Sequence, residues 1–186
     1  MIPAHVLAAI DGALGLLPRE MDTLEARVML LAIGLQESRF RQRRQLIKKG
    51  GELLPLGPAT GYWQFERGGG CRGIVDHPAS RYWAYRICST REVAFTATAI
   101  WRALELDDVL AAAAARLLLF TDPKRLPELG DEKGSLNCYH RIWRPGKPHP
   151  DTWPKFYWEA VECVDASQGQ GSPQRISEGL QGQAPA

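Results

Sequence analysis

Leu24-Glu25-Ala26-Arg27-Val28-Met29-Leu30-Leu31-Ala32-Ile33-Gly34-Leu35-Gln36-Glu37-Ser38-Arg39-Phe40 is the stretch on which the fold turns. Apolar residues at 24, 28, 31 and 35 fall on one helical stripe, and Met29, Leu30, Ala32 and Ile33 fill much of the remaining circumference. Such a helix is expected to be buried on most sides. Its one acid near the far end is Glu37. Loss of water disfavours the charged form of a carboxylate there, and the negative end of the helix dipole disfavours it again. A carboxyl group kept protonated near neutral pH is what a general acid must be, and glycoside cleavage uses one. The competing reading places Glu37 at the surface, paired with Arg39 or Arg41.

The next segment weighs on that choice. Gly57-Pro58-Ala59-Thr60-Gly61-Tyr62-Trp63-Gln64-Phe65-Glu66 is a turn-rich run entering an aromatic and amide cluster. That composition suits stacking on sugar faces and hydrogen bonding to hydroxyl or N-acetyl groups. Gly50-Gly51, Pro55, Gly57 and Pro58 mark a loop before it, and Gly68-Gly69-Gly70 marks another after it. The triple glycine lacks the Gly-Lys-Ser/Thr ending and the preceding apolar strand of a phosphate-cradling loop.

Glu37-Ser38 at the end of an apolar helix, followed by Gly61-Tyr62-Trp63-Gln64, resembles the lysozyme-like lytic transglycosylases. In that family the helix glutamate is the sole catalytic acid and a Gly-Leu-Met-Gln motif lines the sugar cleft. The Trp-Gln-Phe-Glu form looks closest to small proteins carried by tailed bacteriophages. A third family motif, Ala-Tyr-Asn-Ala-Gly, has a loose counterpart in Cys138-Tyr139-His140-Arg141 and the following Trp143-Arg144-Pro145-Gly146. The resemblance spans roughly residues 24–160 and rests on two short motifs. It implies a mainly α, lysozyme-like fold with a small irregular or β-containing lobe opposite the catalytic helix. It also implies a glycan strand of peptidoglycan as the partner and neither metal nor organic cofactor. Glu37 would protonate the bond between N-acetylmuramic acid and N-acetylglucosamine, then act as base while the C6 hydroxyl closes a 1,6-anhydro ring. Ser38 and Gln64 would orient acid and sugar, and Tyr62, Trp63 and Tyr139 would supply stacking and edges. Tyr139 has an alternative reading as an amphipathic core residue.

Composition sets the outer bounds. A chain of 186 residues, 45% hydrophobic, can bury one good core, expected over 1–165. From Ala166 the composition turns to Gln, Gly, Ser and Pro, so 166–186 is expected to be a disordered tail. The net charge of +2 argues against a dedicated nucleic-acid binder. Long β-branched alternations are missing while Ala, Leu, Arg and Glu abound, which predicts a mainly helical domain. Cysteines 71, 88, 138 and 163 lack metal-site spacing and read as free buried thiols, although an even count permits two disulfides outside the cytoplasm. The amino terminus has no basic start, and Asp11 interrupts its short apolar stretch, so no export signal is read there. No segment reaches the ~18 consecutive apolar residues of a membrane helix. A protein acting on the wall would then travel in a phage particle or pass through a holin, from virion or host cytoplasm to the periplasm.

The remaining chain reads as helices. Val6, Leu7, Ile10 and Leu14 predict one closed by Gly15. Residues 39–49 carry six cations, either a solvated face or a contact for an anionic polymer, and they would lower the pKa of a nearby Glu37. Tyr82, Trp83 and Tyr85 are expected in the core. Ser89-Thr90-Arg91-Glu92 has the form of a capping box opening a helix to Leu104. Asp107 or Asp108 caps an Ala-rich helix to Phe120, 134–143 forms another, and Asp151 precedes a last one with Trp153, Phe156, Tyr157, Val161 and Val164. Three alternatives to the lyase stand: a hydrolase using Glu66 as second carboxylate, with Asp76 the other candidate; a virion structural protein without turnover; and a nucleic-acid binder using 39–49.

Overall fold

The computed structural model describes residues 2–146 and 148–169, and it is mainly helical. Helix α1 (Ala4–Gly15) buries Val6, Ala9, Ile10, Ala13 and Leu14 on one face and packs against α6. Helix α2 (Leu24–Ser38) is the centre of the molecule, with Ala26 and every residue from Val28 to Leu35 buried. Thr23 starts it by accepting the amide of Ala26, one of the four N–H groups a helix start leaves unpaired. It ends at Arg39, whose backbone turns left-handed at φ 53°.

Gly34 explains that ending. A glycine inside a helix costs about 1 kcal/mol relative to alanine. Here a Cβ at 34 would run into the ring of Phe40, so the missing side chain lets Phe40 fold back onto its own helix. Phe40 then meets Tyr62 and Trp63 edge-on, at 5.6 and 5.9 Å between ring centroids.

The segment after α2 carries all the strand structure among the described residues. Strands β1 (Ile47–Lys49) and β2 (Glu52–Leu54) pair antiparallel with Lys49 opposite Glu52. The Gly50-Gly51 loop is their two-residue turn, and φ of 62° and 93° is what a primed hairpin turn demands. Strands β3 (Ala59–Thr60) and β4 (Phe65–Glu66) pair likewise around Gly61-Tyr62-Trp63-Gln64. The triple glycine lies in a π-helical turn, Arg67–Cys71, leading into α3 (Arg72–Asp76).

Helix α4 is Arg81–Thr90, α5 is Ala97–Ala103, α6 is Asp108–Phe120, α7 is Glu132–Trp143 and α8 is Trp153–Gly169. Asp107 caps α6 as expected, accepting the amide of Leu110 at 2.9 Å. The Ala-rich face of α6 is wholly buried, and α8 packs along α2. Arg116, buried on α6, donates to the carbonyl of Met21 at 2.8 Å, and burial pushes its pKa down to about 10.

Three expectations need correction. The capping box at 89–92 does not open a helix: Ser89 and Thr90 close α4, Glu92 lies at φ 55°, and Thr96 is the true cap of α5, accepting the amide of Ala99. The Thr90 hydroxyl bonds back to the carbonyl of Arg86, the competing use such side chains have inside helices. Tyr82 and Tyr85 are exposed and only Trp83 is partly buried, because α4 turns Ala84, Ile87 and Cys88 inward instead. The carboxy-terminal boundary also moves, since α8 runs on to Gly169. The rest of the predicted tail, 170–186, lies outside the described residues. All four cysteines are free thiols, three of them buried.

Candidate active site

Glu37 sits in the last turn of α2 and faces a cleft of about 1350 Å³. The elements that meet there are the end of α2, the β3–β4 hairpin, α3 and the second half of α7. Tyr139, on α7, donates its hydroxyl to Glu37 Oε1 at 2.7 Å. The ring of Tyr139 is 3% exposed and lies nearly parallel to Trp153, 5.0 Å between centroids and 16° between planes. Packing of α7 on α8 therefore aims the hydroxyl before any ligand arrives.

The carboxyl of Glu37 is pushed up from 4.5 to about 7. Burial is the larger cause, and the hydrogen bond from Tyr139 opposes it by favouring the ionised form. Neither Arg39 nor Arg41 pairs with it. Arg39 lies over the ring of Phe156, at 5.7 Å, and Arg41 is exposed. No charged group contributes to the shift. Tyr139 is itself pushed up, by burial and by the neighbouring Glu37, so it stays a donor.

The other residues singled out in the sequence divide into two groups. Gln64 and Glu66 line the cleft with Glu37 and Tyr139. Gln64 holds a left-handed backbone at φ 50°, and its amide Nε2 donates to Gly61 O at 2.8 Å. Ser38, Tyr62 and Trp63 serve the protein instead. The Ser38 hydroxyl donates to Tyr62 O at 2.7 Å and accepts the amide of Phe40, joining the end of α2 to the hairpin turn. Trp63 is 0% exposed and its indole N–H donates to Leu30 O at 2.8 Å. Tyr62 is 3% exposed and bonds His5 Nε2 at 3.0 Å while Arg43 lies over its ring at 4.5 Å. Neither ring has a free face to offer a sugar, so the stacking role read for Tyr62 and Trp63 is corrected to a bracing one.

Several lining residues were given no role from the sequence. Gln36 uses both ends of its amide, donating to His149 O at 3.1 Å and accepting the Thr152 hydroxyl at 3.0 Å, which ties the proline-rich segment after α7 to the turn bearing Glu37. Trp143 donates its indole N–H to Trp63 O at 3.1 Å and so fixes α7 against the hairpin. Arg141 forms a bidentate pair with the buried Asp122. Of the basic run at 39–49, Arg43 pairs with Asp108 and Arg44 with Glu105, while Lys48 and Lys49 stay exposed on the outer hairpin. Among the described residues no three His, Cys, Asp or Glu side chains are grouped to hold a metal ion. No helix of the described residues is long and apolar enough to cross a membrane.

Comparison of the chain with protein-family models, curated proteins and solved structures gives no match.

Proposed function

We propose that the chain is a lytic transglycosylase with a lysozyme-like fold, cleaving the β-1,4 bond between N-acetylmuramic acid and N-acetylglucosamine in peptidoglycan. The observation that carries this reading is a buried carboxyl group, raised to about 7, opening on a cleft large enough for several sugar rings and held by a tyrosine hydroxyl. A pKa there leaves the group protonated often enough to donate and ionised often enough to accept, which one residue doing both jobs requires.

In the reaction, protonated Glu37 gives its proton to the bridging oxygen as the bond from muramic C1 breaks. The C6 hydroxyl of the same sugar attacks C1 and returns its proton to the Glu37 carboxylate. The products are a 1,6-anhydro-muramic end and a free 4-hydroxyl on N-acetylglucosamine, with no water consumed. Tyr139 holds the carboxyl throughout and favours its ionised form. The cleft needs no second carboxylate for this chemistry, in agreement with a shift at Glu37 caused only by burial and Tyr139.

A second reading, a hydrolase of the same bond, draws on Glu66 and Asp76, both of which line the cleft. Carriage by a tailed bacteriophage, in the particle or through a holin, is the delivery proposed for action at the wall. Mass spectrometry of fragments released from purified peptidoglycan separates the readings. Anhydro-muramic ends, absent with Glu37→Gln, support the lyase, reducing ends point to Glu66 or Asp76, and binding without fragments leaves a structural role.

A further inference from the structure

The charged side chains around the cleft are nearly all spoken for. Arg72 pairs with Asp76 at 3.1 Å and Arg141 with Asp122, while the Glu37 carboxyl is taken by the Tyr139 hydroxyl. Two lining charges have no ion-pair partner among the described residues: Glu66 on β4 and Arg144 at the end of α7. Arg144 is exposed and spends only Nε, donating to Arg141 O at 3.3 Å, so both terminal nitrogens of the guanidinium stay available.

Its backbone sets it there. Arg144 is the left-handed cap of α7 at φ 49°, with its amide bonded to His140 O at 3.2 Å. A non-glycine residue in that region carries a conformational cost. Glycine or asparagine would serve the cap alone more readily. The same helix carries Tyr139 five residues earlier, so the free cation and the hydroxyl on Glu37 are displayed by one rigid element.

We propose that Arg144 is a specificity-determining residue that binds a carboxylate on the glycan, so that the cleft selects strands bearing acidic substituents over neutral N-acetylglucosamine polymers. This rests on the glycan reading of the cleft. A planar guanidinium with two free nitrogens suits bidentate capture of a carboxylate. That carboxylate comes either from the muramic lactyl group, charged once the peptide is removed, or from the stem peptide, charged while the peptide is attached.

The test measures binding in the Glu37→Gln background, where no cleavage intervenes. Four probes are used: peptide-bearing glycan strands, strands stripped of peptide, and each of these with its carboxylates converted to amides. Arg144→Gln and Arg144→Asn, the second suited to the left-handed backbone, are expected to weaken binding of a charged strand about fivefold and leave its amidated form unchanged. Arg144→Lys restores most of the difference by keeping the charge. Loss with the peptide-bearing strand assigns the peptide carboxylate, and loss with the stripped strand assigns the lactyl one. Equal loss on charged and amidated strands, or loss on neither, overturns the role of Arg144 alone. A Glu37→Gln protein that binds no strand at all overturns the glycan reading and this inference with it.

Discussion

Glu37→Gln tests the chemistry and the physical cause of that chemistry together. Gln keeps the shape and can still accept the Tyr139 hydroxyl, but it has no proton to give. Wall cleavage is therefore expected to vanish. The same variant should be more stable than the parent, in a way that depends on pH. In the unfolded chain Glu37 ionises near 4.5, and in the folded protein near 7. Below 4.5 the carboxyl is neutral in both states, and Gln and Glu are equivalent. Between 4.5 and about 7 only the unfolded state sheds the proton, so the parent loses stability as pH rises. Above 7 the full cost of ionising the buried group is borne. At about 1.4 kcal/mol for each tenfold in the ionisation constant, that cost approaches roughly 3 kcal/mol. For a domain of this size it corresponds to about 5–10 °C in Tm as an upper bound. Thermal melts of both proteins from pH 4 to pH 8.5 should show curves that coincide at the acid end and separate through the interval. A difference independent of pH would refute the raised pKa and, with it, the reason for choosing Glu37 as acid and base.

Tyr139→Phe removes a hydrogen bond that favours ionised Glu37, so the carboxyl should titrate higher still. A pH–rate profile is expected to show its Glu37 limb moved to higher pH and kcat lowered about tenfold or more. Trp63→Ala should cost about 3–5 kcal/mol in denaturant unfolding, as for a fully buried indole, and Trp63→Phe should leave KM for glycan unchanged. A raised KM with unaltered stability would restore the stacking role. Gly34→Ala, which by helix propensity alone would stabilise by about 1 kcal/mol, should instead destabilise by about 1–3 kcal/mol because the new methyl meets the Phe40 ring. Urea unfolding gives the sign directly.

Much of the architecture was legible where side-chain chemistry is local. The apolar circumference of 24–35 announced a buried helix, and Asp107, one of two acids read as a cap, starts α6. The helix read over 134–143 is present but opens two residues earlier, at Glu132, behind a cap that was not read, Asp131, which accepts the amide of Gly134. Local reading failed where two local rules competed. Ser89 and Thr90 fit a capping box and also fit the end of a helix, and only the packing of Ala84, Ile87 and Cys88 selects the latter. The left-handed residues at the site, Arg39, Phe40, Gln64 and Arg144, carried no signal at all, because none is the glycine or asparagine that announces such a backbone.

Glu37 and its position at the end of an apolar helix follow from the order of residues, but the balance between burial and the cations of 39–49 was decided only by the tertiary structure, which buries the carboxyl and turns Arg39 over Phe156. Tyr139 was a candidate on sequence, with a core role equally open, and it lies 102 positions away. Its contact with Glu37 exists because α7 is held by Trp143 on the hairpin and by Trp153 on α8. The roles of Tyr62 and Trp63 were likewise beyond reach. An aromatic pair has the same composition whether it lines a cleft or braces one, and the difference is which face the tertiary fold leaves open to solvent.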